Sequence, residues 1–244
     1  MDILQLQPGL WLWTEPHPDW KPENDKPGGW GRMVASVYYE PPGAADSSSE
    51  RAAVVLIDPL APPSGTPDSE RFWEALDRDI KRRGPVAILI GNEYHGRSVQ
   101  AVFDRYKDGP GASVWAHEAP PGAFRPRVTD SFRGQMELPG GVSAWSVSSL
   151  SPAEVAYYIV AARTLVVADA LIGAGEGRVR VAPPSWAPQD PAGAERYRRE
   201  FRPSLRRLLD LPIDRLLVSH GPSILQDGHR ALAEALEASA WGEP

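Results

Sequence analysis

The sequence predicts an α/β (α+β) fold in which two β-sheets carry helices on their outer faces. Three observations predict it. Each half of the chain opens with short β-branched and apolar runs and then passes into strand–helix alternation. The helical stretches each carry one apolar stripe, so each has a single face to bury. No apolar run reaches 18 residues, so no membrane-spanning helix interrupts this order.

"GRMVASVYYE" (31–40) and "RAAVVLIDPL" (51–60) read as a strand pair joined by the turn-rich "PPGAADSSSE", the second strand ending at Asp58-Pro59. "DSERFWEALDRDIKRRG" (68–84) is an amphipathic helix capped by Asp68 or Ser69, striped by Phe72, Leu76 and Ile80, and closed by Gly84. "PVAILI" (85–90) is a buried strand, "RSVQAVFDRYK" (97–107) a helix, and "ASVWAHE" (112–118) another strand. In the second half, "GVSAWSVSS" and "EVAYYIVAARTLVVADAL" give three strands, two of them a hairpin turning near 161–164. "GAERYRREFRPSLRRLLDL" (193–211) is a helix kinked at Pro203, "DRLLVSHG" (214–221) a strand, and "GHRALAEALEASA" (228–240) a closing helix. The Gly- and Pro-rich residues 173–192 read as a long connection, a candidate lid.

Composition narrows the function classes. At 244 residues the chain is long enough for one sizeable core and is expected to form a single domain over 1–244. The net charge of −6 argues against a nucleic-acid footprint, which needs a basic face. Zero cysteines exclude disulfides, thiolate metal sites and a cysteine nucleophile. "MDILQLQPGLWLW" has no basic n-region, so the expectation is a cytoplasmic protein without a membrane partner. Oligomeric state is left open.

Three strand ends carry candidate chemistry: Asp58 after "VVLI", Asp169 after "LVVA", and His220 after "LLVS". With the polar turn "GNEYHGRS" (91–98) after "ILI", their order resembles the metallo-β-lactamase superfamily over roughly residues 8 to 240. In that family a strand ending in Asp precedes a helix, and the next strand ends in a His-x-His-x-Asp-His turn. A Gly-His-Thr segment, a strand ending in a metal-bridging Asp, and a strand ending in His-Gly follow. The resemblance implies a four-layer αββα sandwich and a metal-dependent hydrolase ancestry.

On that pattern this chain departs at most metal positions. Glu93 and His95 fall where the first two histidines would be, Arg97 replaces the aspartate, and Ser98 replaces the last histidine. "SLSPAE" (149–154) matches the Gly-His-Thr segment with Leu150 in place of its histidine, while Asp169 and His220 are kept. A hydrolytic zinc needs three protein ligands and one open position. Arg97 also sets a fixed positive charge where a second cation would lie. At about 4 Å that repulsion is roughly 4 kcal/mol per unit charge at a moderate effective dielectric. The resemblance therefore implies an eroded site, with no cofactor and no dinuclear zinc hydrolysis.

The expected function is binding of a small anionic ligand in the old cleft by Glu93, His95, Arg97, Ser98, Asp169 and His220. Arg97 is expected to neutralise Asp169 and Glu93 in place of the metal. Catalytic candidates are Asp58, His95, Arg97, Asp169 and His220. A first alternative keeps Glu93, His95, Asp169 and His220 around one zinc, iron or manganese ion, for hydrolysis of an ester, thioester, lactone or phosphoester. A second is a non-catalytic interaction or structural protein. His17, His117 and His229 match no motif position and read as structural. The nine tryptophans read mainly as packing residues, with an apolar ligand wall as the lesser reading. "GAGEGRV" lacks the lysine of a phosphate loop and is discounted.

Overall fold

The computed structural model describes residues 1–42, 54–148 and 150–243. β1 (Asp2–Gln7), β2 (Leu10–Pro16), β3 (Met33–Tyr39) and β4 (Val54–Ile57) pair antiparallel in chain order. β5 (Val86–Ile90), β6 (Ala112–His117) and β7 (Asp130–Phe132) then add in parallel to complete a seven-stranded sheet. The second sheet holds β8 (Met136–Leu138), β9 (Val142–Ser146), β10 (Val155–Ile159) and β11 (Thr164–Val167). After the hairpin of β12 (Leu171–Gly175) and β13 (Arg178–Val181), β14 (Arg215–Val218) joins it in parallel beside β11.

Burial sorts the chain into four layers. Val37, Val55, Ile57 and Leu89 of the first sheet meet Val142, Val155, Tyr157 and Val166 of the second in a shared central core. On the outer face of the first sheet, Leu56, Ile88 and Val114 are covered by α1 (Pro67–Arg83) through Leu76 and Ile80. They are also covered by α2 (Val99–Tyr106) through Val99, Val102 and Phe103. The second sheet is covered by the helical stretch 191–210 and by α5 (Gly228–Glu237), with Phe201, Leu205, Leu232 and Leu236 buried. Each such fully buried aliphatic or aromatic side chain contributes about 1.5–3 kcal/mol. The expected αββα sandwich is present, and among the described residues no helix is long and apolar enough to cross a membrane.

Several local expectations are corrected. β1 and β2 were not expected as strands; β1 is an edge strand with Ile3 and Leu4 exposed, so it lacks the buried alternation that marks a strand. Residues 173–192 are not a bare connection, because they begin inside the β12–β13 hairpin. Its two-residue turn has positive φ at both Glu176 and Gly177, the geometry that matches strand twist. The helix expected over 193–211 is broken into α3 (Pro191–Arg196), a π-turn (Tyr197–Phe201), α4 (Arg202–Arg206) and a tight turn (Arg207–Asp210). Pro203 lacks an N–H and clashes with the preceding turn, and the widened turn just before it absorbs both effects. Thr66, rather than Asp68 or Ser69, caps α1: its Oγ1 accepts from Ser69 N at 3.2 Å. Most of the turn-rich segment before β4 (residues 43–53) and Ser149 lie outside the described residues.

The two sheets are stitched together at one end. Ala35 N donates to Ser219 O at 2.9 Å and Val155 N to Gly91 O at 2.8 Å, and the β12–β13 hairpin attaches at the same end through Gly173 N to His220 O at 2.8 Å. Consequently the carboxyl ends of β4, β5, β11 and β14 open onto one cleft, the usual place for a site in parallel α/β sheets.

Candidate functional site

Asp58 is the first residue past β4 and adopts a left-handed φ of 50°, which Asp tolerates better than most side chains. That turn folds its carboxylate under the next strand end, where Oδ1 accepts from Gly91 N at 2.7 Å and Oδ2 meets His95 Nδ1 at 2.7 Å. Gly91 is required here, because an added Cβ would lie 2.7 Å from Asp58 Oδ2 and 2.6 Å from Ala168 Cβ. With Nδ1 held by Asp58, the His95 ring aims Nε2 at Asp169 Oδ1, 3.1 Å away. The same oxygen lies 3.1 Å from His220 Nε2. Three donors on three strand ends thus converge within 4.8 Å of one another.

Two further polar groups, Asn92 and Glu154, lie behind them. Asn92 is fully buried and donates from Nδ2 to Glu154 Oε2 and Asp169 Oδ2, both at 2.8 Å. Glu154 in turn accepts the backbone N–H groups of Asp169 (2.9 Å) and Ala170 (2.8 Å) at Oε1. Burial and the neighbouring Asp169 push the Glu154 carboxyl up to about 8. For His95, burial and the Arg97 charge favour the neutral ring, yet the flanking Asp58 and Asp169 outweigh them and raise its pKa to about 9. Burial acts to raise Asp169, but His95 and His220 hold it well below the usual carboxylate range. His220 is lowered, chiefly by burial. At neutral pH the floor therefore reads as an imidazolium clasped between two carboxylates.

Arg97 does not make the expected ion pair with Asp169 or Glu93. Its Nη1 donates to Ala35 O (2.8 Å) and Asp58 O (3.0 Å), carbonyls at the ends of β3 and β4. The reason is positional: a φ of 20° at Arg97 turns the side chain back across those strand ends, where the carbonyls need donors. The cation abutting Asp169 is instead His95. Glu93 lies outside the converging set, and its carboxylate accepts from Ser151 Oγ at 2.7 Å. Ser98 precedes α2, and its Oγ accepts from Ala61 N at 2.9 Å, away from the cleft. Leu150 is buried in the cleft wall, where its apolar side chain supplies no ligand.

The cleft above this floor has a volume of about 700 Å³. Sequence reasoning passed over Asn92 and Glu154 on the floor, read His17 as structural and gave the tryptophans a ligand wall only as the lesser reading, whereas His17, Trp30 and Trp186 line the wall. Trp30 and Trp186 stand edge-on to the His220 ring at 5.3 and 6.0 Å, and His17 packs on Trp30 at 5.2 Å. The expectation for His117 and His229 agrees with their contacts, since each ring bonds a nearby backbone carbonyl.

Among the described residues no second group of donors is placed to hold another metal ion. His95, Asp169 and His220 do offer three donors to one ion. Against ligation stands the buried His220 Nδ1, which has no hydrogen-bond partner among the described residues. If His220 Nε2 donates to Asp169, that Nδ1 is merely an unused acceptor. If Nε2 binds a metal, Nδ1 becomes a buried N–H without an acceptor, at a cost of about 1–3 kcal/mol.

No protein-family model and no curated protein matches the sequence. Solved structures do. A metallo-β-lactamase family protein from Thermus thermophilus superposes with a TM-score of 0.57 at 18% identity, covering 96% of this chain and 80% of that one. The metallo-β-lactamase from Pontibacter korlensis gives 0.61 at 12%, over 98% and 99%. The metallo-β-lactamase FIM-1 from Pseudomonas aeruginosa, solved in a mono-zinc form, gives 0.58 at 10%, over 97% and 94%. The chain has the metallo-β-lactamase fold.

Proposed function

We propose that the protein binds a small organic anion in this cleft, with Arg97 as the anchor and with His95, rather than a pair of metal ions, neutralising Asp169. The observation that carries this reading is the state of the Arg97 guanidinium. Nη1 is fixed by two backbone carbonyls, whereas Nε and Nη2 have no hydrogen-bond partner among the described residues, and the residue lines the cleft. A guanidinium pinned on one edge loses little freedom on binding and offers the other edge as a two-donor fork for a carboxylate or phosphate. The floor carboxylates do not compete for it, because Asp169 and Glu154 already accept from His95, His220, Asn92 and two backbone N–H groups.

Thermal stabilisation by acetate and by phosphate, at constant ionic strength, tests the proposal. Arg97→Gln is expected to weaken both anions by about tenfold or more, since a charge-assisted hydrogen bond is worth about 1.5–3 kcal/mol. Equal shifts in the two proteins contradict it.

A second function is favoured by a specific arrangement: the convergence of His95 Nε2, Asp169 Oδ1 and His220 Nε2, with Asp58 behind His95. A carboxylate on Nδ1 fixes the imidazole tautomer and leaves Nε2 free as a donor atom, as at many metal centres. Three such donors would hold one zinc, iron or manganese ion, which would supply Lewis acidity for hydrolysis of an ester, thioester, lactone or phosphoester.

A further inference from the structure

We infer that the anion of this cleft carries a flat apolar body, of the aryl or fused-ring carboxylate class, seated against the indoles of Trp30 and Trp186. The inference rests on the anion-binding reading and adds the part of the ligand that Arg97 does not recognise. A volume of about 700 Å³ lies within the range of pockets that enclose drug-sized molecules, so acetate or phosphate alone would leave most of it to water. Away from the floor, Trp30, Leu60, Pro126, Leu150 and Trp186 give the wall an apolar face, beside the polar side chains of Asp19, Gln100 and Arg125.

The two indoles flank His220, and their polar edges differ. Trp186 Nε1 is used up on Gly28 O at 2.7 Å, so its carbon surface is what remains for the cleft. Trp30 Nε1 has no partner among the described residues. The wall is also held in place before any ligand arrives. Three indole N–H groups hold consecutive carbonyls of the loop between β2 and β3: Trp186 holds Gly28, Trp241 holds Gly29 (2.8 Å) and Trp20 holds Trp30 (3.1 Å). Gly29 fits this arrangement because a Cβ there would meet Asn24 O at 2.0 Å. A fixed aromatic surface binds a ring without first paying to order itself. Charge bears on the sign of the ligand: His95 lies against Asp169 on the floor, and the cleft adds the free edge of Arg97 and the Arg125 side chain, opposed by the carboxylates of Glu93 and Asp19.

Calorimetry on the full chain with three probes tests this: 2-naphthoate, acetate, and 2-naphthyltrimethylammonium. The expected result is 2-naphthoate binding at least about tenfold tighter than either of the others, the equivalent of about 1.4 kcal/mol. Trp30→Leu is expected to lower naphthoate affinity about tenfold and leave acetate unchanged. Arg97→Gln is expected to weaken both anions. Trp186→Phe, which keeps a ring at the wall, is expected to weaken naphthoate by about threefold and serves if Trp30→Leu does not fold. Acetate matching naphthoate, naphthoate failing where acetate binds, or the ammonium probe binding tightest overturns the ring inference while leaving Arg97 as the anchor untouched. If neither anion binds, the anion-binding function itself is overturned.

Discussion

Asp58→Ala is expected to cost about 3–5 kcal/mol of unfolding free energy, one of the two largest effects at this site. The carboxylate is 3% exposed and has two obligations, the Gly91 N–H and the His95 ring, both at 2.7 Å. Removing it leaves a buried backbone donor and a buried imidazolium with one carboxylate where there were two. Breaking a buried charge pair by deleting one partner typically costs about 3–5 kcal/mol. Asp58→Asn retains one acceptor oxygen and is expected to cost clearly less, because that oxygen can serve Gly91 or His95 but not both. Urea unfolding of the three proteins measures this. A loss below about 1 kcal/mol for Asp58→Ala would show that the clasp around His95 does not form.

Raising the pH is expected to destabilise the protein between about 6.5 and 9. The folded-state pKa of His95 is raised to about 9, above the ordinary 6.5 of an unfolded chain. Such a group contributes its stability in full below 6.5 and loses it as pH climbs through 9. At about 1.4 kcal/mol per unit, the loss is on the order of 3 kcal/mol. Glu154, raised to about 8 chiefly by burial, acts in the same direction at lower pH, because its ionisation in the fold is the costly event. Denaturant midpoints across pH 6 to 9.5 read the slope. His95→Gln, which cannot carry the proton, is expected to make it shallower above pH 6.5 and level above about 8, where the Glu154 contribution has ended. A stability that stays level or rises across this window contradicts an imidazolium on the floor.

The strand ends were legible in the sequence and the turn between them was not. Asp58, Asp169 and His220 each follow an apolar run, which marks them as strand-end residues, and their place together at one end of the sheets was implied by the resemblance to the metallo-β-lactamase order. Within "GNEYHGRS" no period operates, and tertiary partners decide which side chain turns inward. Asn92, rather than Glu93, reaches Asp169, because Glu154 and Asp169 together need its two N–H donors. Arg97 was expected to neutralise Asp169 and Glu93, but its partners are the carbonyls of Ala35 and Asp58, which the local sequence gives no way to bring beside this turn. Glu154 sits in the same "SLSPAE" segment as Leu150, and only the fold reveals that its carboxylate binds the backbone of the Asp169 turn. Trp30 and Trp186 come from loops more than 150 residues apart, and only the packing of those loops brings both to His220.

The most direct measurement is metal content by mass spectrometry of protein purified without chelator, followed by melting with added zinc or manganese. A floor neutralised by His95 predicts far less than one ion per chain and no large rise in melting temperature with either cation. One tightly held ion per chain, with melting raised by several degrees, would contradict it. That outcome would assign His95, Asp169 and His220 to a mononuclear centre instead.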